Sequence, residues 1–427
     1  MRYFALLIFC LAFSHTLVAQ VFRSPAAIPP PPPPPGLENT DKLEVPTYLI
    51  AVDTTFTRWS PKAPKVLSAT DGSLSSKSFK NQSFGRIART TKQLCLATTR
   101  SIYEDGKLSR SELLLQLRES DGEMEDSIVI HHEKGIRIRG LTNDDDNFYV
   151  AFTKEISSGD RDLYVAKISP KAELLWETNI GKRFGTSGLE LLKLDGAGDI
   201  VLFSSHYDNV GFDRLSPDGQ IVDRKALFFY DDFSPKSFSF KPDGGIIGIG
   251  THQEYEGRDV YTSSVIFELN ANYQLLRYRQ LRSSGLDDAQ DVIMDDQGYY
   301  YFLTNTGNSS KSYLHDADFM TIGKLDQDFN LIESINLQNL ETGQSLDLVA
   351  IPNYGIVTYQ RSYNSGQTFV LFSFSHSLEL QQILTAPGRY GSPNQMLYFD
   401  KKLLLLCGHS HTALVTVPWS TKSDEEE

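Results

Sequence analysis

Three histidines at one repeating position are the residues best suited to chemistry in this chain. His206, His252 and His409 are drawn from only 9 histidines in all. Aligning the apolar runs that carry them puts them at an equivalent place, which Thr99, Lys154, Thr306 and Gln360 fill in other runs. Around them stand Tyr207, Tyr255, Arg361, Tyr363, Arg389 and Tyr390. Imidazole can ligate a metal or carry a proton. Aromatic faces pack sugar C–H groups, and charged side chains bind hydroxyls. A shared metal is not expected, because packed sheets lie ~10 Å apart and metal–nitrogen bonds span only ~2.0–2.1 Å. Asp287, Asp288 and Asp291 lack the glycine-spaced oxygens of a calcium loop. Carboxylates for hydrolysis could come from Asp231, Asp287 and Asp288, at a separation that sequence does not fix. No nucleophile elbow, phosphate loop or dinucleotide fingerprint is present. Neither cofactor nor metal is therefore expected.

These residues lie on a repeat of roughly fifty residues. One unit is clear at 135–181: a strand, the turn Asn143-Asp144-Asp145-Asp146, a second strand, a polar loop, a third strand, the turn Ser169-Pro170-Lys171-Ala172, and a fourth strand. The runs are β-branched and aromatic, and the breaks hold Gly, Pro, Asp and Asn. The first turn recurs near Asp195, Lys241, Asp295 and Pro352, and the second near Ser216, Asn270, Asp326 and Ser375. Six units begin near Phe84, Gly135, Gly188, Ser237, Ala289 and Leu346. The end of the chain, 395–417, supplies two or three strands and then stops. Residues 46–59 read as the outer half of a unit, with strands at Tyr48–Ala51 and Phe56–Trp59.

A four-stranded sheet cannot bury both faces alone, so units must stack. A straight stack needs caps, whereas a ring needs closure. The expected fold is all-β: a seven-bladed β-propeller of four-stranded antiparallel blades, its closing blade shared by N- and C-terminal strands. In such a ring the nine residues above sit on the loop rim around the channel mouth.

The run Asp162-Leu163-Tyr164-Val165-Ala166-Lys167-Ile168 with Leu174-Leu175-Trp176 resembles the repeats of bacterial exported β-propeller proteins. A looser copy is Asp318 to Leu325. The resemblance spans roughly 43–420 in architecture and implies fold and export, with little about activity.

Arg2, the apolar run 3–13 and Leu17-Val18-Ala19 read as a signal peptide over 1–20. A Pro-rich linker follows at 21–42, built on the unbroken prolines 29–35 and expected to form a stiff polyproline rod. The propeller is expected over 43–422, with an acidic tail at 423–427. No later run is long enough for a transmembrane segment, so periplasmic or extracellular localisation is expected. The net charge of −13 argues against nucleic acid as a partner. Cys95 and Cys407 fall on second strands of adjacent blades, aligned two positions apart and on the same face. They are expected to be free, buried thiols. Together these features point to a monomeric, non-catalytic binding or scaffold module. Its partner would be a glycan or an extracytoplasmic protein held on the loop rim. The alternative is a carbohydrate-active hydrolase or lyase with its site at the channel mouth.

Overall fold

The computed structural model describes residues 49–51, 66–68, 75–79, 83–105, 107–119, 124–132, 135–157, 160–183, 190–206, 209–228, 233–256, 259–282, 286–307, 317–338, 343–362, 369–386, 393–399, 401–408 and 412–419. The expected signal peptide, linker and acidic tail lie outside these residues. So do Tyr207, Tyr363, Arg389, Tyr390 and His409 among the rim candidates. Among the described residues, no helix is long and apolar enough to cross a membrane.

Every described regular element is a strand, and the strands form seven sheets in chain order. Blade 2 shows the pattern: Ile136–Asn143, Phe148–Ser157, Asp160–Ile168 and Leu174–Arg183 pair antiparallel, each with the next. The first strands of blades 1 to 7 are Ser83–Arg89, Ile136–Asn143, Glu190–Leu194, Phe233–Phe240, Leu286–Met294, Gly343–Ile351 and Pro393–Phe399. Neighbouring blades meet mainly through these strands, and blade 7 meets blade 1, so the ring closes. The chain is a seven-bladed β-propeller.

Closure differs in detail from the sequence expectation. Three C-terminal strands, ending in Thr412–Pro418, belong to blade 7. A single N-terminal strand, Ser75–Phe79, completes it, pairing antiparallel with Thr412 to Thr416. The segment Leu49–Ala51 instead adds in parallel to the outer strand of blade 4, and Val66–Ser68 adds to that of blade 6. Because the C-terminal run is long enough for three strands, one partner completes the sheet. The expected strand at 56–59 lies outside the described residues.

Alternation along each strand fills the seams between blades. Phe203, Phe212 and Phe238 interlock across blades 3 and 4, with ring centroids 4.8–5.0 Å apart. Cys95 packs against blade 2 and Cys407 against blade 6. Both are free and buried, but they point opposite ways round the ring, a correction to the shared face. Burial raises both thiol pKa values.

The turn between third and fourth strands is a second seam device. Its left-handed residue is Ala172, Gly219, Tyr273, Phe329 and Leu378 in blades 2 to 6. Tyr273, Phe329 and Leu378 are buried plugs against the preceding blade. At Gly219 the plug comes from the other side: a Cβ there would lie 2.7 Å from the Trp176 ring. The Trp176 indole N–H also donates to Pro217 O at 3.1 Å. Gln93, Lys225, Arg277 and Lys324 grip the carbonyls of the next blade's turn in the same manner. The turns, legible in the sequence, therefore also lock the blades together.

Candidate functional site

In six of the seven first strands the pairing slips beside one or two extra residues. These lie at Phe84-Gly85, Arg139, Lys236, Gln290, Leu346-Asp347 and Asn394. A bulge sharpens twist and re-aims the side chain beside it. Here the bulges encircle the channel axis, and every blade contributes lining to a cavity of about 470 Å³. Its polar lining is Arg86, Arg139, Lys193, Lys236, Ser237, Gln290, Asp291, Asp347, Asn394 and Gln395.

Asp291, Asp347 and Gln395 take one equivalent position, three residues before the end of the first-hairpin ladder in blade 5 and four before it in blades 6 and 7, whose ladders run one pair further. Each reaches the next blade's backbone one residue further along. Asp291 Oδ2 accepts the Leu348 N–H at 2.8 Å, and Asp347 Oδ2 accepts the Met396 N–H at 2.8 Å. Gln395 accepts the Ile87 N–H at 2.9 Å and donates to its carbonyl at 3.0 Å. First strands of adjacent blades share no ladder, so these side chains satisfy backbone groups that would otherwise face the channel. In blades 3 and 4 the stitch sits two residues on: Lys193 donates to Phe238 O and Ser239 to Val292 O at 3.0 Å.

The acidic side of the cavity is a carboxyl pair. Asp291 also accepts Ser237 Oγ–H at 2.5 Å and the Val292 N–H at 2.8 Å. Asp347 lies within hydrogen-bonding reach of Asp291. Burial, then the Asp291 charge, drive its pKa well above the usual carboxylate range, against the Met396 N–H and Lys193. The basic side is Arg86, Arg139, Lys193 and Lys236. Burial lowers the pKa of Arg86, with Tyr359 and Asp347 opposing and Arg139 adding to the effect. It also lowers that of Lys193, against Asp291 and Asp347. Lys236 is paired with Asp288 at 3.1 Å.

None of the nine rim candidates is among the described residues that line this cavity. His206 and His252 do fall at one equivalent strand position, six residues beyond Ile200 and Ile246. His252 is half-buried, facing Ser263 on the neighbouring strand. Tyr255 and Arg361 lie on second strands. Asp287 and Asp288 are buried in a first strand rather than open on the rim. Asp287 accepts from Thr306 at 2.6 Å, and Asp288 from Thr251 and Gln290 at 2.8 and 2.7 Å. They do not form a calcium set with Asp291, whose acidic neighbour is Asp347.

Among the described residues one grouping has metal-like spacing: Asp295, Asp296 and His376, with ligand atoms within 4.8 Å of one another. Most of its donor atoms are already engaged, the buried His376 Nε2 being the exception. Asp295 accepts the Gln297 and Tyr299 N–H groups, Tyr301 OH and His376 Nδ1, and Asp296 accepts the Asn353 N–H. It is a latch between blades 5 and 6.

No protein-family model and no curated protein matches this sequence. Solved structures do match in fold. A polysaccharide lyase of a new family, an ulvan lyase, superposes with TM-score 0.54 at 9% identity, covering 82% of this chain and 98% of its own. The β-propeller domain of the trilobed protease from Pyrococcus furiosus gives 0.46 at 11% identity, with 77% and 90% covered. A protein from Lactobacillus plantarum gives 0.48 at 14% identity, with 71% and 85% covered. At these identities the likeness is one of fold.

Proposed function

We propose that this chain is an exported β-propeller that binds a polar ligand, a glycan or the end of one, in its channel cavity without altering it. The observation behind this is the cavity itself: about 470 Å³, within the ~300–1,000 Å³ usual for small-ligand sites, and lined from all seven blades. The side-chain stitches hold its walls, so ordering the site costs little on binding. Catalysis fits the acid pair poorly. Glycosidase carboxylates stand ~5–5.5 or ~6.5–9.5 Å apart, whereas Asp291 and Asp347 are hydrogen-bonding neighbours. The rim with His206, His252 and His409 would give a longer ligand its outer contacts. Export to the periplasm or beyond rests on the N-terminal sequence.

An ulvan lyase of similar fold is bound to -[GlcA(1-4)Rha3S]-, which makes acidic and neutral oligosaccharides the fitting first panel. Calorimetry on the full chain should show saturable binding, with no reducing-end or unsaturated product on prolonged incubation. Absence of binding across the panel overturns the reading, as does turnover. Binding that survives Arg86→Gln but is lost in His252→Ala would place the site on the rim instead.

A further inference from the structure

The two sides of the channel cavity carry opposite and unequal charge. Arg86 makes one hydrogen bond, from Nη1 to the neighbouring Gly85 carbonyl at 3.3 Å. Among the described residues no carboxylate stands within ion-pair distance of it. Lys193 rests on the Phe238 carbonyl and over its ring at 5.0 Å. Withdrawing such cations from water is costly unless a counter-charge accompanies them. Lys236 has one in Asp288, and an anion in the cavity would supply it for Arg86 and Lys193.

Across the cavity, Asp291 has its lone pairs committed to Ser237, Val292 and Leu348. Asp347 accepts only the Met396 N–H and the Asp291 contact. Two carboxyls in hydrogen-bonding contact cannot both be ionised at little cost, which is the physical reason Asp347 resists ionisation. The charged groups facing Asp347 are Asp291 of blade 5, Lys193 of blade 3 and Arg86 of blade 1, and Tyr359 of its own blade acts on Arg86. The blade 7 strand beside it brings Gln395 and Met396, which do not titrate.

We propose that the channel cavity is a proton-coupled anion site: Arg86 and Lys193 hold one acidic group of the ligand, a carboxylate or sulfate ester, while Asp347 retains the proton it shares with Asp291. This rests on the channel being the ligand site and adds its chemistry. A bound anion makes ionisation of Asp347 harder, so binding and protonation favour each other. Raising the pH through the Asp347 titration removes the proton, adds a negative charge to the wall and weakens the anion. Binding within that window takes up protons.

Glucose 6-sulfate tests this, because its sulfate stays ionised and only the protein titrates. Calorimetry from about pH 5 to about pH 9 should show affinity falling roughly tenfold or more, as one unit of linked pKa requires. In the window, the heat should vary with the buffer's ionisation enthalpy in the sense of proton uptake. Asp347→Asn can still donate to Asp291 and accept from Met396, and should give a flat pH profile. Arg86→Gln should lose the sulfated probe. The wild-type buffer experiment decides the matter even if a variant fails to fold. A pH-independent affinity in wild type overturns the proposal. So does glucose binding as tightly as its sulfate, which leaves the channel a ligand site of another chemistry. If neither sugar binds, both readings fall. Inorganic sulfate matching glucose 6-sulfate, with the same pH dependence, supports the anion site and assigns it to a free anion rather than a glycan.

Discussion

One first-strand position is used in two ways around the channel wall. In blades 5, 6 and 7 the equivalent first-strand position holds Asp291, Asp347 and Gln395, each hydrogen-bonded to the next blade's backbone. In blades 1, 2 and 3 register puts Arg86, Gly140 and Leu191 there, and none of these can accept a backbone N–H through its side chain. The basic arc leaves Arg86 facing the cavity with a single hydrogen bond to its own neighbour. One position of the repeat thus serves stability on one side and, on our reading, ligand binding on the other. The sharpest test is a matched pair. Asp291→Ala strips Ser237, Val292 and Leu348 of their acceptor in a buried setting. It should cost about 3 kcal/mol or more, read as a lower denaturant midpoint. Arg86→Met removes a buried, unpaired charge and should leave stability within roughly 0.5 kcal/mol or raise it. Equal losses from the two variants would erase the division between arcs.

A smaller effect probes the closing seam itself. Gln395 makes both of its hydrogen bonds to Ile87, across 308 residues of sequence. Gln395→Leu keeps the volume and orphans a backbone donor and acceptor between blades 7 and 1. The expected cost is about 2 kcal/mol. Asn394→Ala, on the adjacent bulge residue, should cost well under half of that. A reversed order would mean that closure depends on the Ser75–Phe79 pairing and not on the stitch.

The blades were legible in the sequence because a turn has its own chemistry. The Asx acceptors Asp195 and Asp295 bind the backbone two and four residues on, and positive φ falls at Gly198, Gly219, Gly244 and Gly298. Such signals are local. The channel residues were not found, because their meaning is set by a bulge and by a neighbour some fifty residues away. Asp291 was read beside Asp287 and Asp288, its neighbours in sequence, although its acidic partner is Asp347 in the next repeat. Aligning second strands exposed His206 and His252. Aligning first strands would have shown a polar residue just before an apolar one, as in Arg86-Ile87, Ser237-Phe238, Asp291-Val292, Asp347-Leu348 and Gln395-Met396. The N-terminal strands were misassigned for a related reason. Leu49–Ala51 and Ser75–Phe79 are both short, and only their partners, in blades 4 and 7, tell them apart.

The smallest effect separates the arcs by pH. Asp347 is protonated more readily in the folded chain than in the unfolded one, where an Asp titrates near ~3.9. Between that value and its raised folded pKa, the folded state binds more protons, so stability falls as pH rises. The contribution is full below the window and gone above it. Asp144 and Asp243 act in the opposite sense at lower pH. Asp144 is held below the usual range by Tyr149 and the 146–147 backbone, against burial. Asp243 is held there by the Gly245 N–H and Lys241. Their contribution is present above the unfolded value and lost as pH falls through the folded ones. The acidic limb of the stability curve should therefore belong to the lower turns and the neutral-side decline to the channel. Asp347→Asn, measured by denaturant titration, should flatten the decline and leave the acidic limb in place. If the decline persists in Asp347→Asn, the proton resides elsewhere, and the acid arc is a set of hydrogen-bonding stitches with no titration of its own.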